Sequence, residues 1–253
     1  MDLLHSLKAD RYNIVAIQEP HIYFLGQTRA NPHWTVIYPK QHLLNPNKTR
    51  SVMLINCNIS TNNWDEINII SSDITGVCLH GEFGTIDIYN VYNDCANNDS
   101  LKVVEGYMRK RGDGSRERNR ERGGEGVIWL GDFNRHHPIW DKVRNAHLFT
   151  KAALEAAQPL LNMISNYDMH MALAKDIPML EACATKNHTR VDNVFCSGEL
   201  EDRFILCDTY LQWRPQKTDH MPIISIVDIE PERTIHAEKS NYRLTDWVTS
   251  IGH

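Results

Sequence analysis

The chain predicts a β-dominated α/β sandwich, with packed sheets rather than a regular wheel of βαβ units. Short apolar, β-prone runs recur along most of its 253 residues, bounded by Gly, Pro, Asn or Asp. Helical stripes are few and widely separated. Strand therefore follows strand over long stretches, whereas parallel βαβ units need a crossover, usually a helix, between successive strands.

In order, residues 2–9 place Leu3, Leu4 and Leu7 on one face and predict a short amphipathic helix. A buried strand follows at 13–18 (NIVAIQ), closed by Glu19 and Pro20. Further strands are predicted at 35–38 and 51–56 (SVMLIN), separated by a polar Asn/Pro/Lys loop, and at 67–70, 74–80 and 85–92. The last of these, TIDIYNVY, alternates Ile86, Ile88, Asn90 and Tyr92 against Asp87, Tyr89 and Val91. Asp99 or Ser100 is placed to cap a helix running to about residue 109, with Val103, Val104 and Tyr107 inward. Residues 109–126 hold no apolar side chain, and basic residues outnumber acidic ones by seven to four, which predicts a mobile basic loop.

Residues 127–130 (VIWL) read as a buried strand ended by Gly131. Leu154, Ala157, Leu160, Leu161 and Ile164 form a helical stripe over 150–167. Strands are predicted at 169–173, 191–196, 204–211 and 223–227, and a polar tail without strong periodicity occupies 229–253. The organisation expected is one unit over 1–228 and an appended tail.

A hydrophobic content of 42% and a charged content of 23% are those of a soluble globular protein. No apolar run approaches the roughly 20 residues of a membrane span, so no membrane partner is expected. The first residues lack the basic-then-apolar pattern of a secretion leader, and six cysteines occur without CxxC spacing. An intracellular protein with reduced thiols is the expectation. A net charge of −5 disfavours a non-specific coat for nucleic acid. It leaves room for an enzyme that meets a polyanion through a bound cation and a few placed basic groups.

Acid, amide or imidazole groups recur where strands end. Glu19 follows IVAIQ, Asp132 and Asn134 follow VIWLG, Asp192 and Asn193 sit in RVDNVF, and Asp219 and His220 precede MPIISIV. Each alone reads as a turn former or solvated group, and Asp192 alone could bind its neighbour Arg190. Together they suit phosphodiester cleavage, which needs an activated water, charge neutralisation at phosphorus and help for the leaving alkoxide. Glu19 and Asp219 offer hard oxygen ligands for Mg2+, with Mn2+ as an alternative. His220 oriented by Asp192 would make a general base; Asp132 would align or deprotonate the water, and Asn134 would donate to a phosphate oxygen.

The Glu of AIQEP, GDFN, the RVD of RVDNVF and TDHMPI, which occur along the chain in that family's order, resemble the motifs of the exonuclease–endonuclease–phosphatase superfamily over residues 1 to about 228. GDFNRHHPIWD and NVYND further resemble the apurinic-type endonuclease domains of non-LTR, LINE-like retrotransposons. The resemblance implies a four-layer αββα sandwich of two mostly antiparallel sheets, DNA as substrate, nuclear access, and a reverse transcriptase in the full-length element. It also implies Tyr92 as a phosphate-contacting tyrosine, Glu19 as metal ligand, Asp132 and Asn134 as a catalytic pair, Asp192 and His220 as a dyad, and Asp219 as a further metal-side carboxylate. His136 and His137 are expected near the DNA or, before Pro138, as turn residues. Trp213 reads as a stacking surface or a cover for the core edge, and the 109–126 loop as solvated or touching DNA. The family's first strand, with its asparagine, has no counterpart before residue 2, so the expected sandwich lacks that strand. A phosphatase or phospholipid phosphodiesterase of the same fold, and a non-cleaving remnant, are the alternatives.

Overall fold

The computed structural model describes residues 7–29, 31–112, 125–181, 186, 188–214 and 218–229. Its strands begin with β1 (Ile14–Gln18), β2 (Trp34–Ile37), β3 (Ser51–Asn56), β4 (Trp64–Glu66), β5 (Ile74–Gly81) and β6 (Gly84–Tyr92). Helix α1 (Asp99–Gly112) precedes β7 (Glu125–Asp132), and α2 (Lys151–Asn166) precedes β8 (Met169–Met171). The short β9 (Leu180–Glu181) and β10 (His188–Thr189) lead to β11 (Asp192–Ser197), the single-turn α3 (Gly198–Glu201), β12 (Phe204–Thr209) and β13 (Ile223–Val227).

The larger sheet has the order β4-β5-β6-β7-β11-β8 and is antiparallel except between β6 and β7. That one parallel pair is joined through α1, the crossover such a connection requires. Helices α1 and α2 cover one face, where Leu101, Val104, Met108, Leu160 and Met163 bury against Tyr89, Val91, Trp129 and Phe195. Thr150 caps α2 by accepting the Ala153 N–H.

The opposite face packs against a second layer. There Met53, Ile55, Val77, Ile86, Ile88, Ile128 and Val194 form a shared core, joined by Ile14, Phe204 and Ile223. This layer is in two pieces, β1-β3-β2 and β12-β13, and no described strand joins them. Tyr89 and Ile88 thus serve different cores, and β6 is buried along both faces. The mixed α/β sandwich of packed sheets is therefore present.

Leu7, Ala9 and Tyr12 pack with Trp34 and Leu54 on the outer face of β1-β3-β2. The helix expected at 2–9 falls largely outside the described residues, and residues 7–9 are loop and turn. The tail beyond 229 and residues 113–124 of the expected basic loop also lie outside them; residues 109–112 extend α1 and residues 125–126 open β7. Two other elements differ from expectation. The strand predicted at 67–70 is displaced to Trp64–Glu66, and Ile67 and Ile69 are buried in the connection that follows. Gly131 does not end its strand, because β7 runs on through it to Asp132. No helix among the described residues is long and apolar enough to cross a membrane.

Candidate active site

Three neighbouring strands deliver the centre of the site in register. Tyr92 at the end of β6 lies opposite Asp132 at the end of β7, and Asp132 lies opposite Asp192 at the start of β11. Adjacent strands are about 4.8 Å apart, so their hydrogen bonding fixes the spacing of these groups. Gly131 makes the approach possible. Its φ is +132°, and a Cβ there would sit 2.1 Å from the Val91 carbonyl oxygen, so only glycine keeps β6 and β7 paired at this level.

His220 joins them from the loop before β13, where it forms an isolated bridge with Leu180. Its Nδ1 is 2.7 Å from Asp192 Oδ2, and one ligand atom each from Asp132, Asp192 and His220 lie within 4.8 Å of one another. Asp192 spends its carboxylate on His220 and not on Arg190. The buried Arg190 guanidinium bonds the Asn193 side chain and the Leu173 and Ala174 carbonyls.

Burial and the neighbouring Asp192 charge push the Asp132 carboxyl up to about 7. Asp192 is also raised, chiefly by burial. Burial alone would lower His220, but the Asp192 hydrogen bond and the charges of Asp192, Asp132 and Asp219 lift it to about 9. At neutral pH the ring is therefore an imidazolium.

Asn134 is a clamp on Asp132. Its backbone N–H reaches Oδ1 at 2.9 Å and its Nδ2 reaches Oδ2 at 3.0 Å, while Nδ2 also bonds the Asn93 carbonyl at 2.9 Å. It adopts φ +50°, and Glu19 at the end of β1 adopts φ +48°. Left-handed backbone at non-glycine residues costs on the order of 1 kcal/mol or more, and here it aims two site side chains. The Tyr92 hydroxyl donates to Glu19; burial first and the Glu19 charge second raise this phenol to about 12, so it stays a hydrogen-bond donor.

Asp219 sits at the rim, with Oδ1 4.0 Å from His220 Nε2. The two carboxylates expected to hold metal, Glu19 and Asp219, thus flank the tighter cluster of Asp132, Asp192 and His220 instead of forming it. His136 and His137 take their contacts inside their own loop. His136 Nδ1 is 3.6 Å from Asp141, and His137 Nδ1 accepts the Ile139 N–H with its ring against Trp140. Those are turn contacts. Trp213 is 43% exposed and stacks on Tyr210 at 4.9 Å, so one aromatic face remains available.

Several supporting residues escaped the sequence reading. Arg50, just before β3, forms a two-pronged pair with Asp73 at 2.9 and 2.7 Å, bonds Asp94 at 2.6 Å, and lies 4.6 Å above the Tyr92 ring. Arg135 is buried, bonding Asn98 and the carbonyls of Asp94 and Ala156, which holds the GDFNRHH loop rigidly instead of leaving it free. The signal in both cases is an arginine beside a motif: TRSVMLI opens a buried strand with one, and GDFNR ends on one.

The family model described as endonuclease-reverse transcriptase matches residues 86–224, more than half of the chain, and takes in Tyr92, Asp132, Asn134, Asp192, Asp219 and His220 but not Glu19 or Arg50. None of the curated proteins compared with the chain matches it. Among solved structures, the endonuclease domain of TRAS1, a telomere-specific non-LTR retrotransposon, is 14% identical with a TM-score of 0.59, covering 87% of this chain and 88% of that one. An AP endonuclease from Archaeoglobus fulgidus is 15% identical with a TM-score of 0.58, over 89% and 94% of the two chains. The AP endonuclease LMAP from Leishmania major is 10% identical with a TM-score of 0.68, over 88% and 80%. By its motifs, its fold and this match, the chain belongs to the endonuclease–reverse transcriptase family of the exonuclease–endonuclease–phosphatase superfamily.

Proposed function

We propose that the chain is a divalent-metal-dependent DNA endonuclease that hydrolyses phosphodiester bonds, working in a retrotransposon beside a reverse transcriptase. One observation carries the reading: Tyr92, Asp132 and Asp192 stand side by side on three strand ends, with His220 held against Asp192 at 2.7 Å. The family match and the DNA-acting proteins of the same fold support it. Acting on chromosomal DNA would require nuclear access.

The donor set fits a hard cation. Asp132, Asp192 and Asp219 surround a single imidazolium, with Glu19 close enough to act on Asp132 and Tyr92, an oxygen-rich and under-compensated group of the kind Mg2+ or Mn2+ takes. Glu19 and Asp219, flanking the cluster, would hold it, and when bound it supplies charge neutralisation for the phosphate oxygens.

The protein's own groups divide the remaining work. Asp132, raised to about 7 and aimed by Asn134, takes the proton of the attacking water. His220, charged and fixed by Asp192, faces the phosphate as a cationic hydrogen-bond donor. In this reading His220 acts as donor and not as the base that its motif suggested, because the surrounding carboxylates favour its protonated form. Tyr92, whose hydroxyl donates to Glu19 in the free protein, would turn that donor to the phosphate while Arg50 keeps its ring in place.

The test is nicking of supercoiled plasmid by the purified chain with Mg2+. Nicking that chelator abolishes is the expected result. Release of phosphate from a 3′-phosphorylated oligonucleotide without nicking would instead favour a phosphatase, and neither activity would overturn the assignment of hydrolysis.

A further inference from the structure

Residues 20–50 contain no aspartate or glutamate, although the chain has 32 acidic residues in all. The same stretch holds Arg29, Lys40, Lys48 and Arg50, so it carries +4 while the rest of the chain carries −9, the two summing to −5. It begins directly after Glu19 and ends at Arg50, whose guanidinium lies on the Tyr92 ring. The only long acid-free segment of an acidic protein therefore adjoins the candidate active site.

This segment also shows apolar side chains to solvent. Phe24 is 94% exposed and Leu25 75%, at the tip of a turn closed by the Gly26 N–H on the Tyr23 carbonyl. Leu43 and Leu44 are 89% and 84% exposed. Burying almost none of their surface in the fold, these four contribute little to the core. Their supports, by contrast, are built. Buried His42 sits with Nδ1 2.7 Å from Thr49 Oγ1, hydrogen-bonds the Gly26 backbone, and stacks on Tyr38 at 4.1 Å. The Tyr38 hydroxyl accepts the Thr28 N–H at 2.9 Å, and a Cβ at Gly26 would lie 3.3 Å from the Pro46 ring, so the two loops face each other closely. Two apolar prongs are thus fastened to one another.

The cations differ in availability. Lys40 pairs with Glu66 and Arg50 with Asp73 and Asp94. Arg29 lies over the Tyr23 ring at 4.2 Å and Lys48 is exposed, and neither is paired with a carboxylate among the described residues.

We propose that this surface is a docking platform for duplex DNA flanking the scissile phosphate. Phe24, Leu25, Leu43 and Leu44 press on sugars and base edges, and Arg29 and Lys48 neutralise backbone phosphates. The choice of DNA over a protein partner rests on the charge: the segment holds four cations and no acid in a chain of net charge −5, and Arg29 and Lys48 are left to meet a polyanion. The inference rests on the endonuclease reading and adds to it where the substrate is gripped.

The experiment is fluorescence anisotropy of a labelled DNA duplex with the full chain under chelator, so that no cleavage occurs. F24S/L25S and L43S/L44S are compared with the parent, with thermal unfolding as a fold control. Each pair should weaken binding at least tenfold with no loss of thermal stability. R29A and K48A should each reduce the slope of log K against log salt by about one. Binding by both serine pairs within twofold of the parent would overturn the platform while leaving the endonuclease reading standing, provided the parent nicks plasmid. Should the parent neither bind nor nick DNA, both fall. A parent dimer by sedimentation that F24S/L25S dissolves, with DNA affinity unchanged, would identify a second copy as the occupant and also overturn it.

Discussion

Replacing Asp192 by asparagine isolates the origin of the charge on His220. The imidazole rises from 6.5 to about 9 against the opposing effect of its own burial, and the 2.7 Å bond from Asp192 is the strongest of the raising influences. A change of that size corresponds to ~3 kcal/mol favouring the imidazolium, discounted to about 2 kcal/mol because a third of the ring meets solvent. The asparagine keeps the shape of the side chain but withdraws its charge. Only the more distant Asp132 and Asp219 would then oppose burial, so the pKa should fall by about two pH units, to near its ordinary value. The assay is an NMR titration of the His220 ring in chelator-treated protein, assigned by the loss of its signal in His220→Gln. Nicking at pH 7.5 should fall on the order of a hundredfold or more, as the cationic donor is lost. A His220 pKa still close to 9 in Asp192→Asn would show that Asp192 is not what holds the proton.

Further outcomes follow from the same geometry. Gly131→Ala must push β6 from β7, and a loss of at least ~3 kcal/mol in denaturant unfolding is expected, since both the +132° backbone and the 2.1 Å approach to Val91 oppose a methyl group. Arg50→Met strands Asp73 and Asp94 and frees the Tyr92 ring; about 1–3 kcal/mol of stability and roughly tenfold in nicking rate should go, whereas Arg50→Lys should restore little because one ammonium cannot span both carboxylates. For chelated protein the pH dependence has a definite sign. Asp132 and His220 both have raised folded values, so their contributions are full below about 4 and 6.5 respectively and are lost as pH rises through about 7 and 9. The melting temperature should therefore fall between pH 6 and 9, and added Mg2+ should recover more of it at the higher pH; a flat profile in both states would contradict the charge assignment.

The sheets were largely legible because most strands are apolar runs with turn residues at their ends, as in SVMLIN and IISIV. The run at 67–70 misled because burial and strand pairing are separate properties: Ile69 is 2% exposed yet lies in a connection, and Trp64–Glu66 takes the pairing with β5. Two-residue strands such as β9 and β10 leave no periodic signal. In the site, Asp192 and His220 could be paired from their motifs and indeed meet. The Arg50 hub could not be read, since its partners lie 23 and 44 residues away and only the packing of the two sheets unites them. Nor could the closure of the His136–His137 loop, which depends on buried Arg135 and Trp140.

Asp132, at the join of β6, β7 and β11, is the group we propose takes the proton from the attacking water. The decisive quantity is the single-turnover nicking rate of Asp132→Asn, which preserves size while removing the base, beside the parent at saturating Mg2+. With melting temperature within a few degrees of the parent as the fold control, the rate should fall by a factor of about 10³ or more. A well-folded Asp132→Asn that nicks plasmid within about tenfold of the parent would rule Asp132 out as the base.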